Sequence, residues 1–225
     1  MKIAISQRQD QNRHGDWVDS LEQTYGVYFQ QFGISLIPIP NTTIDVASLL
    51  DSLEIEGIIL SGGNDINPES YGAARKEGIS LALGRDEVER EMLKYALDKN
   101  LPVLGICRGM QFINVYFKGK LVDFKATGYE HLPRMDHTVM IKEFTELSGS
   151  RVNSFHNYGI RINDLGNGLK PFAITEDEKT VEGFYHSSRP IAGIVWHPER
   201  QSPDPVFNEK IMKAFVSGEL FWKKK

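Results

Sequence analysis

The chain contains a single cysteine, Cys107, so it cannot form an internal disulfide, and with its histidines scattered it lacks the usual makings of a structural zinc site. Positive charge is not in excess either. Against 26 Lys and Arg stand 30 Asp and Glu, a formal net charge of −4, which argues against a phosphate backbone as partner. No apolar run approaches the ~20 residues of a membrane span. The opening MKIAISQRQDQ turns polar too soon for a secretory leader, so a cytoplasmic protein that binds neither nucleic acid nor membrane is expected. Repeats, low-complexity blocks and an interdomain linker are lacking as well. A chain of 225 residues can bury roughly 70% of its unfolded surface, and one domain over residues 1–225 is expected. The closing Lys223, Lys224 and Lys225 read as a solvated tail.

What is present is an alternation of buried strands and amphipathic helices. KIAIS, SLIPIP, EGIILSGG and LPVLGI read as strands, WVDSLEQTYGVYFQQFG and VASLLDSL as helices, and RDEVEREMLKYALDKN places Val88, Met92, Tyr95 and Ala96 on one helix face. Repeated βα units of this kind imply an α/β three-layer sandwich with a mostly parallel central sheet flanked by helices. From about Leu121 the pattern becomes richer in short strands: HTVMIK, RVNSF, KPFAIT, TVEGFYH and IAGIVW. A last helix is expected over Asp204 to Ser217.

The lone thiol lies in GICRG, where a buried strand passes into the helix RGMQFINVYF, with Gly105 and Gly109 at the offsets of a nucleophile elbow. Glycine suits such a turn because backbone segments approach too closely for Cβ atoms. At the start of a helix, unpaired N–H groups favour a thiolate. A base is then required. Of His14, His131, His137, His156, His186 and His197, the last stands out: IAGIVWHPER sets it at the end of an apolar strand, on the same rim as Cys107, with Glu199 two residues on as the carboxylate to orient it.

GICRGMQ followed about ninety positions later by VWHPE resembles the class I glutamine amidotransferase superfamily. ILSGGNDINPESYG is similar to its oxyanion loop, and GRDEVE and RVNSFHNYGI resemble its γ-glutamyl hydrolase branch. The resemblance implies Cys107 as nucleophile, His197 as general base and acid, Glu199 as its partner, and backbone N–H groups of Gly62, Gly63 and Arg108 as the oxyanion hole. It further implies Gln111, His156, Asn157 and Tyr158 at the substrate, with Asp65 and Asp86 organising loops. No metal or cofactor is needed by this chemistry. The implied substrate is a small γ-glutamyl amide, with γ-glutamyl-γ-aminobutyrate or the γ-glutamyl amidate of CDP used in capsule phosphoramidate synthesis as candidates. The interval between GKLVDF and VNSFH is short for this branch, which opens the pocket wall to a bulkier leaving group.

Two other readings stand beside this one: a glutaminase subunit passing ammonia to a separate synthase, and a non-catalytic binding protein on the same fold. A homodimer is compatible with any of the three. Arg8, Arg13 or His14, after the first strand, could reach an anionic leaving group, although a solvated loop is the better account of them in sequence terms.

Overall fold

The computed structural model describes residues 1–75, 77, 78, 80–124, 135–142 and 149–218; His131, the lysine tail and most of the interval after Phe124 lie outside them. Strands β1 (Lys2–Ser6), β4 (Ser35–Ile39), β5 (Gly57–Leu60), β6 (Val103–Ile106) and β13 (Ile191–Ile194) run parallel in the order β4-β1-β5-β6-β13. The side chains of β1, β5, β6 and β13 are buried nearly throughout, as expected of strands covered on both faces, whereas in the edge strand β4 only Ile39 is. Helices α1 (Gln23–Gln30), α2 (Val46–Ser52), α3 (Leu83–Lys99), α4 (Arg108–Tyr116) and α5 (Pro205–Ser217) flank the sheet. The four residues expected on one face of α3 are all buried. α5 starts where the sequence indicated, with the Asp204 carboxylate accepting from Phe207 N–H and Pro205 at its first position.

Beyond β13 the sheet continues antiparallel. β12 (Thr180–His186) pairs with β13, β11 (Leu169–Thr175) with β12, β8 (His137–Ile141) with β11 and β9 (Ser150–Val152) with β8. The short β10 (Tyr158–Arg161) pairs with both β12 and β7 (Val122–Asp123), which brings the 155–158 segment toward the parallel half. This is the strand-rich second half expected from the sequence, built onto the parallel core.

One expectation fails near the start. The apolar spacing from Trp17 predicted a helix beginning there, but α1 begins at Gln23, and Trp17–Ser20 forms β3, paired antiparallel with β2 (Arg8–Gln11) outside the main sheet. The Asn12 side-chain oxygen accepts from the N–H groups of His14 and Asp16 at 2.8 and 3.0 Å, and Gly15 takes φ +85°, which closes a tight hairpin turn. Because RQDQ is polar on both faces, this hairpin has no apolar alternation to announce it.

Candidate active site

Cys107 joins β6 to α4 with φ 53° and ψ −107°, a conformation that a non-glycine residue holds only where its surroundings enforce it. They do so here. Its N–H donates to Ile194 O at 2.8 Å, and the two glycines admit close backbone contacts: a Cβ at Gly105 would lie 2.6 Å from Met110 N, and one at Gly109 would lie 2.0 Å from Leu60 O. The steric reason read from GICRG therefore holds. The turn presses α4 against both β5 and β6 and directs the thiol to the sheet's carboxyl end.

His197 follows β13 by three residues. Trp196 beside it is fully buried, stacks on Phe207 and donates to the Asn208 side chain at 2.9 Å, anchoring the segment to α5. Asn153 then grips the histidine backbone on both sides: His197 N–H donates to Asn153 Oδ1, and Asn153 Nδ2 donates to His197 O, each at 2.8 Å. The ring is held between Phe155, edge-on at 5.7 Å, and the Gly62 backbone, where an added Cβ would meet His197 Cε1 at 2.7 Å. Nδ1 lies 2.5 Å from Glu199 Oε1, which leaves Nε2 as the ring nitrogen open to the neighbouring Cys107 sulfur. Burial would lower the imidazole pKa, but the Cys107 sulfur and the Glu199 carboxylate outweigh it and push it up to about 10. The imidazolium is thus the stable form at neutral pH.

The donors expected for an oxyanion divide. Gly63, at φ +103°, and Arg108, the first residue of α4, keep N–H groups for which no hydrogen-bond acceptor occurs among the described residues. Gly62 does not fit: its N–H donates to the Tyr25 hydroxyl at 3.0 Å, so that donor is spent on α1 rather than facing the cavity. Two donors remain instead of three.

Beneath these donors lies a set of buried charges. Arg85 donates to the carbonyls of Ser61 (2.6 Å) and Gly62 (2.9 Å), to Asn64 Oδ1 (3.2 Å) and to Glu89 (2.7 Å). Arg108 pairs with both Glu89 and Asp86. Burial, then the nearby Arg108, lowers the Arg85 pKa to about 10; burial raises Asp86; and for Glu89 the two guanidiniums outweigh burial and lower it. Glu89 joins the arginine that holds the Ser61–Gly62 carbonyls to Arg108, whose own backbone N–H is one of the two without an acceptor among the described residues. Of this network the sequence reading had only Asp86, as a loop organiser. Arg85 and Glu89 look like an ordinary solvated i,i+4 helix pair, and the Arg108 side chain, Asn153 and Tyr25 carry no signal that sets them apart.

Cys107, Arg108, His197, Gly63, Gln111, His156, Asn157 and Tyr158 all line one cavity of about 300 Å³, together with Arg8, Glu22, Asn64, Asp65, Ser80, Phe155 and Arg200. Gln111 Nε2 donates to Tyr158 O at 2.8 Å, and His156 Nδ1 lies 3.0 Å from the same carbonyl. Asp65 holds its loop by accepting from Ser80 N–H at 2.9 Å. Of the three N-terminal candidates Arg8 lines the cavity, whereas Arg13 and His14 contact each other at 3.0 Å on the exposed hairpin turn. Among the described residues no helix is long and apolar enough to cross a membrane.

A parallel sheet ending in this cysteine turn, extended by antiparallel strands, is the class I glutamine amidotransferase fold. A structure from Thermoplasma acidophilum, named for one component of GMP synthase, superposes with a TM-score of 0.67 at 26% identity, over 99% of this chain and 95% of that one. The chain belongs to the Peptidase C26 family, whose model matches residues 2–199. It is 32% identical to the glutamine amidotransferase-like protein YvdE of Lactococcus lactis over 90% of each chain. It is also 33% identical to the γ-glutamyl-CDP-amidate hydrolase of Campylobacter jejuni, over 72% of this chain and 70% of the relative.

Proposed function

We propose that the protein hydrolyses a γ-glutamyl amide through a thioester on Cys107. The observation that carries this reading is the buried Cys107–His197–Glu199 contact chain at the floor of a cavity that also presents the free N–H groups of Gly63 and Arg108. In the first step the Cys107 sulfur attacks the γ-carbonyl carbon, and the carbonyl oxygen gains negative charge against the two N–H groups. Each such donor typically contributes about 3 kcal/mol to the transition state. The C–N bond then breaks as the His197 Nε2 proton passes to the departing nitrogen, leaving a γ-glutamyl thioester and a neutral imidazole. Water next attacks the thioester, giving its proton to His197. The C–S bond breaks, glutamate leaves and the starting ion pair is restored.

His197 thus supplies a proton to the leaving amine in the first step and takes one from water in the second. Gln111 and the His156–Tyr158 segment suit the polar glutamyl head, and similarity to a γ-glutamyl-CDP-amidate hydrolase supports an amide or amidate more elaborate than glutamine.

The test is glutamate release by purified protein from glutamine, γ-glutamyl-γ-aminobutyrate, a γ-glutamyl anilide and a γ-glutamyl nucleotide amidate, with Cys107→Ala alongside. Rapid turnover of a substituted amide is expected, with a loss on the order of 10⁶-fold in the variant. An active Cys107→Ala protein would remove the thioester mechanism, and slow glutamine hydrolysis that rises only with a second protein would favour a glutaminase working for a separate synthase.

A further inference from the structure

Arg8 has a part in the cavity that the acyl-transfer scheme does not use. Its stem crosses Gly63 so closely that a Cβ there would fall 2.4 Å from Arg8 Cγ and 2.8 Å from Nε. Nε is buried and makes no hydrogen bond among the described residues. A guanidinium stays protonated, and a buried N–H without an acceptor costs about 1–3 kcal/mol, so a group placed this way is poised for an acceptor that arrives with a ligand. Its one ion-pair partner among the described residues, Asp10, stands at 3.4 Å and also accepts from Ser20 Oγ at 3.0 Å. The other arginines of the cavity have their charge paired: Arg200 with Glu22 (2.7 Å) and over the Phe155 ring (4.5 Å), and Arg108, whose Nε also lacks a partner among the described residues, with Asp86 and Glu89 at its two terminal nitrogens.

The position of Arg8 is fixed from below. Asn64, in the oxyanion loop, accepts from Gln9 N–H at 3.0 Å and donates to Gln9 O at 2.9 Å, binding β2 to the loop at the residue next to Arg8. Contacts sort the lining residues into two groups. Gln111, His156 and Tyr158 are joined through the Tyr158 carbonyl. His197 touches Gly62, whose neighbour Gly63 carries Arg8, and it reaches Arg200 and Glu22 through Phe155. The departing nitrogen must lie beside His197, which gives it its proton. Arg8, packed on Gly63 in the same cavity, is then within the reach of a substituent on that nitrogen.

We infer that Arg8 binds an anionic group, phosphoryl or carboxylate, carried by the leaving amine, and so selects γ-glutamyl amides of anionic amines over neutral ones. This rests on the acyl transfer proposed above. A charge-assisted contact to a guanidinium discriminates between charged and neutral leaving groups without altering the chemistry at the carbonyl.

The test measures kcat/KM for γ-glutamyl phosphoramidate and γ-glutamyl-γ-aminobutyrate against glutamine and γ-glutamyl anilide, in wild type and in Arg8→Met, which keeps an apolar stem over Gly63. The anionic-to-neutral ratio should fall at least tenfold for one anionic substrate, and that substrate names the anion. A parallel fall on all four would overturn the inference, because it would mean that Arg8 supports the loop or reads the glutamyl carboxylate common to them all. So would a ratio that does not move. In a second arm, inorganic phosphate and acetate are titrated into Cys107→Ala protein with and without Arg8→Met, which needs no turnover. Binding of either anion that disappears with Arg8 supports the inference, and the absence of any Arg8-dependent binding counts against it, even where failure to cleave any amide has already sunk the proposed reaction.

Discussion

Two buried clusters of ionisable groups lie within a few residues of each other, and they are built to opposite ends. In the Arg85–Asp86–Glu89–Arg108 cluster, two cations balance two anions, and the Arg85 guanidinium is further tied to backbone oxygens, so the groups are locked in one arrangement. In the Cys107–His197–Glu199 cluster, by contrast, the sulfur and the outer ring nitrogen form the floor of a cavity, and a single proton held on His197 has somewhere to go. Burial of charge by itself thus does not mark a reactive site. What distinguishes the two is that the four charges of the first are paired with one another, whereas the sulfur and Nε2 of the second face a cavity.

Breaking each cluster at its carboxylate should separate activity from stability. Of the two carboxylate variants Glu199→Gln is expected to have the larger effect on rate, about 10⁴-fold in kcat, because the amide neither stabilises the imidazolium nor fixes its tautomer. The pH profile gives the sign. The His197 pKa of about 10 lies above its ordinary 6.5, so kcat/KM in wild type should fall as pH rises through about 10 and the leaving amine loses its acid. Its contribution to stability follows the same course, complete below the unfolded value near 6.5 and lost as pH rises through the folded value. Removing Glu199 should move the alkaline limb to lower pH. A limb that stays in place would show that the Cys107 sulfur alone holds the proton.

Glu89→Gln should act the other way round, with the larger effect on stability. It leaves two buried guanidiniums with one carboxylate between them, and breaking such a pair typically costs 3–5 kcal/mol, or roughly 6–20 °C in Tm for a chain of this size. Thermal unfolding and kcat should be measured together. A variant that keeps its Tm but loses rate to the same degree as Glu199→Gln would erase the distinction between the clusters.

The sequence carried the Cys107–His197–Glu199 cluster more clearly than the arginine–carboxylate one, and the reason is physical. Gly105, Cys107, Gly109, His197 and Glu199 obey local rules: a strand end, a turn too tight for Cβ atoms, a carboxylate two residues from the histidine it touches. The parallel strands and α3 were equally plain, since burial on both faces and a 3.6-residue period are written in consecutive residues. The supporting contacts depend on residues distant in the chain. Arg85 reaches Ser61, Asn153 reaches His197, and Tyr25 reaches Gly62, and none of these pairings has a spacing to read. The β2–β3 hairpin was misread as part of a helix because Trp17 and Val18, both exposed, satisfied an apolar period while facing solvent.

Tyr25 offers the finest cut between support and reaction, and the smallest expected effect. Its hydroxyl accepts the Gly62 N–H, so Tyr25→Phe leaves that buried donor unsatisfied at a cost of about 1–3 kcal/mol. In Tm this amounts to roughly 2–12 °C. Arg85 still holds the carbonyls of Ser61 and Gly62, however, and neither the Gly63 nor the Arg108 donor touches the phenol. The rate should therefore fall by less than about tenfold, within the cost of the lost bond. Should kcat drop by 10²-fold or more with little change in Tm, the Gly62 N–H must turn toward the substrate during the reaction. The oxyanion hole would then have three donors after all, with Tyr25 holding the third in reserve until the carbonyl oxygen takes up charge.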